Sequence, residues 1–155
     1  MPPREPFQAV VERHGRRLWR LCAAQVGPQR ADDCFQETLL AALRAYPRLR
    51  NGSNLRGWVL TIAHRKALDS HRARERREVP MPEPAAGIAA RNGYDDGSPW
   101  DEVRRLPGKQ RAAVVLRFAN DLEHREIARV LGCSDEAARR SVHEGLKKLR
   151  EVWQA

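Results

Sequence analysis

Apolar residues recur at helical spacing through three stretches before residue 79 and again after residue 99. In Phe7–Val26, the residues Phe7, Val10, Val11, His14, Leu18, Leu21 and Cys22 share one side, and Arg13, Arg16, Arg17 and Arg20 supply the wet side. Gly27-Pro28 stops this helix. His14 reads as packed at the edge of the stripe, because no second metal-ligating group follows at i+4. A second helix is predicted from Ala31 to Tyr46, with Phe35, Leu39, Ala42, Leu43 and Tyr46 inward. Asp32, Asp33, Gln36, Glu37, Leu40 and Arg44 face out, and Asp32 and Asp33 stand in a first turn whose dipole favours acids. Two readings of that face stand: a solvated surface, or an acidic contact surface for a partner protein. Pro47 ends the helix, and a loop with Asn51-Gly52 as its turn follows. A third helix from about Leu55 to Arg76 turns Leu55, Trp58, Val59, Ile62, Ala63 and Ala67 inward. Its outer face is cationic, with Arg56, Arg65, Lys66, Arg72, Arg74, Arg76 and Arg77.

Val79–Pro99 has no helical period and carries four prolines and three glycines, the composition of a linker. As a coil it spans roughly 25 Å root-mean-square and stretches to about 70 Å. Beyond it, Trp100–Leu106 opens a second module, and Pro107 starts a helix over Gly108–Ala119 with Val114, Val115 and Phe118 inward. Asn120 to Glu123 turn the chain. Glu126 to Leu131 then form a short amphipathic helix with Ile127, Val130 and Leu131 on one side. Gly132-Cys133 ends it, since glycine takes the left-handed conformation of a helix C-terminus. Ser134 caps the next helix, with Asp135 and Glu136 in its first turn and Arg139, Arg140, His143, Lys147 and Lys148 further along. Helix, short turn and basic helix make the helix-turn-helix pattern, whose second helix lies in the DNA major groove. Other helical hairpins share the glycine turn and a basic helix. The expected fold is all-α: two small helical modules, residues 1–78 and 100–155, joined by a flexible Pro/Gly linker at 79–99, the C-terminal one a helix-turn-helix. Units of this size are marginally stable alone, so both gain from docking to something.

Charge changes the picture. The chain of 155 residues has 29 basic and 20 acidic residues, net +9, which favours a polyanionic partner such as nucleic acid. Residues 1–78 hold 16 basic and 8 acidic groups, net +8, whereas residues 101–155 hold 12 and 9, net +3. The cationic third helix after an Asn/Gly/Ser loop is thus a second candidate nucleic-acid surface, with arginines on phosphate. Trp58 there can stack on a single-stranded base or belong to the core. No stretch approaches ~20 apolar residues, so membrane insertion is not expected, and the first ten residues lack a signal-peptide core, so a cytoplasmic location is expected. Cys22, Cys34 and Cys133 form neither a disulfide framework nor a zinc site and read as small buried apolar residues. A redox pair between Cys22 and Cys34 stays open. No paired carboxylates, metal cluster or nucleophile constellation stands at useful spacing, so no catalytic residues, metal or cofactor are expected.

Three segments in order, ADDCFQETLLAALRAY, LRGWVLTIAHRKALDSHRAR and LPGKQRAAVVLRFANDLEHREIARVLGCSDEAARRSVHEGLKKLR, resemble an extracytoplasmic-function (ECF) sigma factor of bacterial RNA polymerase. The resemblance covers nearly the whole chain except the linker. It implies a non-enzymatic polymerase subunit that confers promoter specificity, with core RNA polymerase and promoter DNA as partners and an anti-sigma factor as a common family arrangement. It assigns polymerase binding to Asp32, Asp33, Gln36, Glu37, Leu40 and Arg44. It assigns the opened −10 strand to the loop Arg50, Asn51, Gly52, Ser53 and Asn54, with Arg56, Trp58, Arg65, Asp69 and Arg72 on the following helix. Base extrusion costs a few kcal/mol, so polar groups and a stacking surface are the expected chemistry. The −35 element falls to Arg125, Ser134, Glu136, Ala137, Arg139, Arg140 and His143. The chain departs from the family pattern in places. Asn often follows an Ile-Ala-Arg run; here Ile62-Ala63-His64 is followed by Arg65. Glu136-Ala137-Ala138 and Arg139-Arg140-Ser141 stand where relatives often carry Gly-Thr-Val and Lys-Ser-Arg, and Glu144 replaces a usual basic residue. The alternative is a stand-alone helix-turn-helix regulator, which has no need of the Asp33/Gln36 face.

Overall fold

The computed structural model describes residues 5–50, 53–77 and 99–154. Asn51, Gly52 and residues 79–98 of the expected linker lie outside them. The described residues form helices and no strand: α1 (Phe7–Val26), α2 (Pro28–Ala45), a 3-10 turn (Tyr46–Arg48), α3 (Leu55–Arg77), α4 (Pro99–Arg104), α5 (Gly108–Phe118), α6 (His124–Leu131) and α7 (Asp135–Trp153).

The first three helices pack on one another in pairs. Gly27, at φ 87, turns the chain between α1 and α2. Pro28 begins α2 rather than merely ending α1, because its fixed φ suits a first helical position where the missing N–H costs nothing. The early start moves Asp32 and Asp33 beyond the first turn, so the expected dipole stabilisation does not apply to them. The buried stripe of α2 is Ala31, Cys34, Thr38 and Ala42, small side chains that permit close helix approach. Leu43, expected inward, is 50% exposed. In α3 the buried residues include Val59, Leu60, Ala63, His64 and Ala67.

In the second module α5, α6 and α7 also pack pairwise, and α4 lies against α5 and α7. Ala112 to Leu116 are buried, but Phe118, expected inward, is 52% exposed at the end of α5, with the Arg117 guanidinium over its ring. Helix α6 begins at His124, two residues earlier than the apolar pattern predicts. A reciprocal cap explains this: Glu123 accepts from the third helical amide, and Glu126 accepts from the Glu123 amide at 3.0 Å.

The modules do not stand apart. Helix α1 packs on α5 and α3 packs on α6, and the buried apolar residues of both halves join in one cluster. Two small cores that are each marginal alone bury apolar surface against one another.

Candidate nucleic-acid interface

The turn between α6 and α7 forms as the residue types require. Gly132 is left-handed at φ 69, ψ 39, and the Cys133 amide donates to the Ala128 carbonyl at 3.0 Å. Ser134 Oγ accepts from the Ala137 amide at 3.1 Å and sets where α7 begins. Val142, Gly145 and Leu149 bury one side of α7. The other side leaves Glu136, Arg139, Arg140 and His143 exposed, with Ser134 exposed at the cap and Ala137 half-buried. Arg125 is exposed on α6. All seven residues expected at a major groove therefore lie on α7, its cap or the helix before it. Glu144, also exposed, receives a hydrogen bond from Gln110 Nε2 at 3.2 Å, so this departure from the family pattern has a partner within the module.

The loop before α3 is used partly for structure. Asn54 Oδ1 accepts from the Gly57 amide at 3.1 Å and caps α3, and Ser53 Oγ donates to the Arg50 carbonyl at 2.6 Å. Trp58 is half-buried; its ring lies 6.3 Å from Tyr46, which lies 5.4 Å from Phe7. Its stacking partners are thus inside the protein, which favours the core alternative for this residue. Arg65, Asp69 and Arg72 are exposed at spacings of four and three, one outward row of α3. Arg56 points instead at the second module, with its Nη2 3.5 Å from both carboxylate oxygens of Glu126.

His64, at one of the departures from the family pattern, is a joint between helices. Gln25 Nε2 lies 2.9 Å from its Nδ1, and the Gln25 carbonyl lies 2.7 Å from His71 Nε2. Burial, and then the neighbouring Arg65, hold His64 below its usual value; burial acts first on His71 as well, against a rise from the Gln25 carbonyl. His14 is buried as expected. Burial and the positive charges of Arg13, Arg17 and Arg56 push it down too. Cys22 and Cys34 are buried beside each other; their shared thiol hydrogen bond, and then burial, push the Cys22 thiol up, and the same hydrogen bond holds the Cys34 thiol down. Cys133, expected buried, is exposed because it follows the left-handed Gly132 in the turn.

The third surface is α2. Asp33, Gln36, Leu40 and Leu43 recur at helical spacing, all exposed, with Leu40 at 52% and Leu43 at 50%; Glu37 and Arg44 flank them. Sequence reasoning misses Leu43 as a surface residue, although its place three residues after the outward Leu40 signals it. Asp32 is exposed and accepts from Trp19 Nε1 at 2.9 Å, so it is less free than Asp33. Among the described residues no helix is long and apolar enough to cross a membrane, and no group of three metal-ligating side chains forms.

Two family models match the chain. Residues 10–77 match the model for Sigma-70 region 2, and residues 100–149 match the model for Sigma-70, region 4. The chain is 31% identical to the ECF RNA polymerase sigma factor SigD of Mycobacterium tuberculosis, over 96% of this chain and 77% of SigD. It is 29% identical to the RNA polymerase sigma factor CarQ of Myxococcus xanthus, over 96% of this chain and 89% of CarQ. Its fold is that of the sigma factor RpoE from Bartonella quintana, solved in complex with the anti-sigma factor NepR: TM-score 0.81, 22% identity, 96% of this chain and 97% of that one. The chain belongs to the ECF sigma factors of the sigma-70 family, and its function is to direct the initiation of transcription by RNA polymerase.

Proposed function

We propose that three surfaces divide this work. The α2 face of Asp33, Gln36, Glu37, Leu40, Leu43 and Arg44, with Asp32 at its edge, binds core RNA polymerase through apolar contact ringed by charge. The first module, comprising residues 1–78, takes the opened −10 strand along Asn51, Ser53, Asn54 and α3, where Arg56, Arg65 and Arg72 meet phosphates. Asp69 lies among them as an acceptor for base amino groups, and Trp58 supports the site from behind. The second module, residues 100–155, reads the −35 element with α7. There Arg139, Arg140 and His143 reach into the groove, Glu136 accepts from cytosine amino groups, and Ser134, Ala137 and Arg125 make the close approach to backbone and bases.

The observation that carries this reading is the exposed side of α7. Its Ser134 cap and Gly132 turn fix the helix, its inner side is consumed by packing, and its outer side is a charged row that the fold does not use. The α2 face separates this reading from a stand-alone helix-turn-helix regulator, which would have no use for Leu40 and Leu43 exposed among acids. The protein carries out no chemistry of its own and works in the cytoplasm beside polymerase. An anti-sigma factor is a fitting further partner, given the fold shared with RpoE. The test is transcription by core polymerase with and without this protein on genomic fragments: defined start sites support the reading, and none above core polymerase alone overturns it.

A further inference from the structure

Helix α3 carries one side chain that neither its packing nor its charge explains. Val59, Leu60, Ala63, His64 and Ala67 fill its buried side, and the helix holds seven cationic residues against two acidic ones. Among the described residues Leu68 is the one large hydrophobic that this helix leaves exposed, at 38%. It stands three residues after Arg65 and four before Arg72, and so lies between two exposed guanidinium side chains, next to the exposed Asp69. Helix propensity does not require leucine here, because arginine, lysine and glutamate propagate a helix nearly as well. Arg65 and Arg72 are about 10 Å apart along the helix axis. A strand whose phosphates meet both therefore brings the bases between them over Leu68.

We propose that Leu68 selects thymine in the opened strand by taking its C5 methyl group. Of the four DNA bases only thymine carries an apolar group on its edge, and apolar side chains contact it. In a single strand that edge is uncovered. The inference rests on the assignment of α3 to the opened −10 strand and deepens it by naming a base. The neighbours keep separate work: Arg65 and Arg72 hold phosphates of any sequence, and Leu68 adds a preference without adding charge.

The test uses the full chain assembled with core RNA polymerase, with core alone as the baseline. The probes are fluorescein-labelled oligothymidine and oligodeoxyuridine strands of equal length, which differ only in the C5 methyl group. Wild type should bind oligothymidine roughly fourfold more tightly, the worth of one buried methyl group. Leu68→Ala, at an exposed position where truncation leaves the fold intact, should bind both strands alike. Leu68→Met keeps the apolar reach and should keep the preference. Added salt should weaken binding of both strands and leave their ratio unchanged, since a methyl contact releases no counterions. Wild type that does not distinguish the strands, or a preference that survives Leu68→Ala, overturns the proposal. Loss of core binding in Leu68→Ala puts this side chain against polymerase and overturns it as well. Arg72→Ala tests the parent reading separately: it should weaken both strands equally, and undiminished binding of both removes α3 from the strand site, whatever Leu68 does.

Discussion

Replacing Gly145 by alanine tests how closely α7 must approach its support, α5. A Cβ on Gly145 would lie 2.7 Å from Val114 Cγ2 and 3.5 Å from the Gln110 carbonyl oxygen. Carbon atoms in contact sit about 3.5–4.0 Å apart, so something must yield by roughly 1 Å. Val114 is buried, and its β-branched side chain has little rotamer freedom to move aside. Overpacking of this kind costs about 1–3 kcal/mol, while alanine gains about 1 kcal/mol over glycine in a helix interior. The net expectation is a loss of about 1 kcal/mol. Gly15→Ala in α1 is the control. Its added Cβ would meet Val11 and Phe35 at 3.8 and 3.9 Å, ordinary contact, so the helix gain of about 1 kcal/mol should survive there. Urea denaturation of both variants measures the difference, and Tm should move by about 2–4 °C per kcal/mol. Because the misfit shifts α7, −35 binding should weaken as well. A Gly145→Ala protein stabilised as much as the Gly15→Ala protein would refute the close approach.

Other surfaces give their own tests. Asp33→Ala with Gln36→Ala should weaken polymerase binding and leave the urea midpoint unchanged, since both residues are exposed; unchanged affinity removes α2 from the polymerase contact. Arg139→Ala and Arg140→Ala should each weaken promoter binding by about 1–3 kcal/mol if the guanidinium bonds a base edge, read by promoter titration; equal weakening on all sequences would mark them as phosphate contacts. His14, His64 and His71 are all held below the ordinary value of 6.5. The unfolded chain therefore binds more protons than the folded one in the window below 6.5, and stability should be full above that pH and fall as pH drops through it. Denaturation midpoints from pH 7.5 to 5 check this, and His64→Gln should flatten the slope.

Much of this molecule is legible in the chain because local chemistry decides it. The Gly132 turn and the Ser134 cap need only their own residues, and both form as the sequence predicts. Helix α1 keeps its predicted ends for the same reason. The departures come from tertiary context. Leu43 and Phe118 are apolar at plausible inward positions, but packing against neighbouring helices, not spacing alone, decides which side of a helix is covered. Thr38 is buried because it is small where helices meet closely, a property that no hydrophobic period signals. The start of α6 is hidden because its cap is glutamate rather than serine or threonine. Least legible are the meetings between modules: Arg56 with Glu126 and Arg17 with Asp121 join residues far apart in the chain, and nothing local announces them.

The most direct measurement is to supply this protein to core RNA polymerase and map the 5′ ends of the transcripts made from genomic DNA. A sigma factor built on these three surfaces should produce start sites absent with core alone, sharing upstream −35 and −10 elements, and abolished when Arg139 and Arg140 are replaced. Transcripts that are absent, or that start at the same places with and without the protein, would contradict that function.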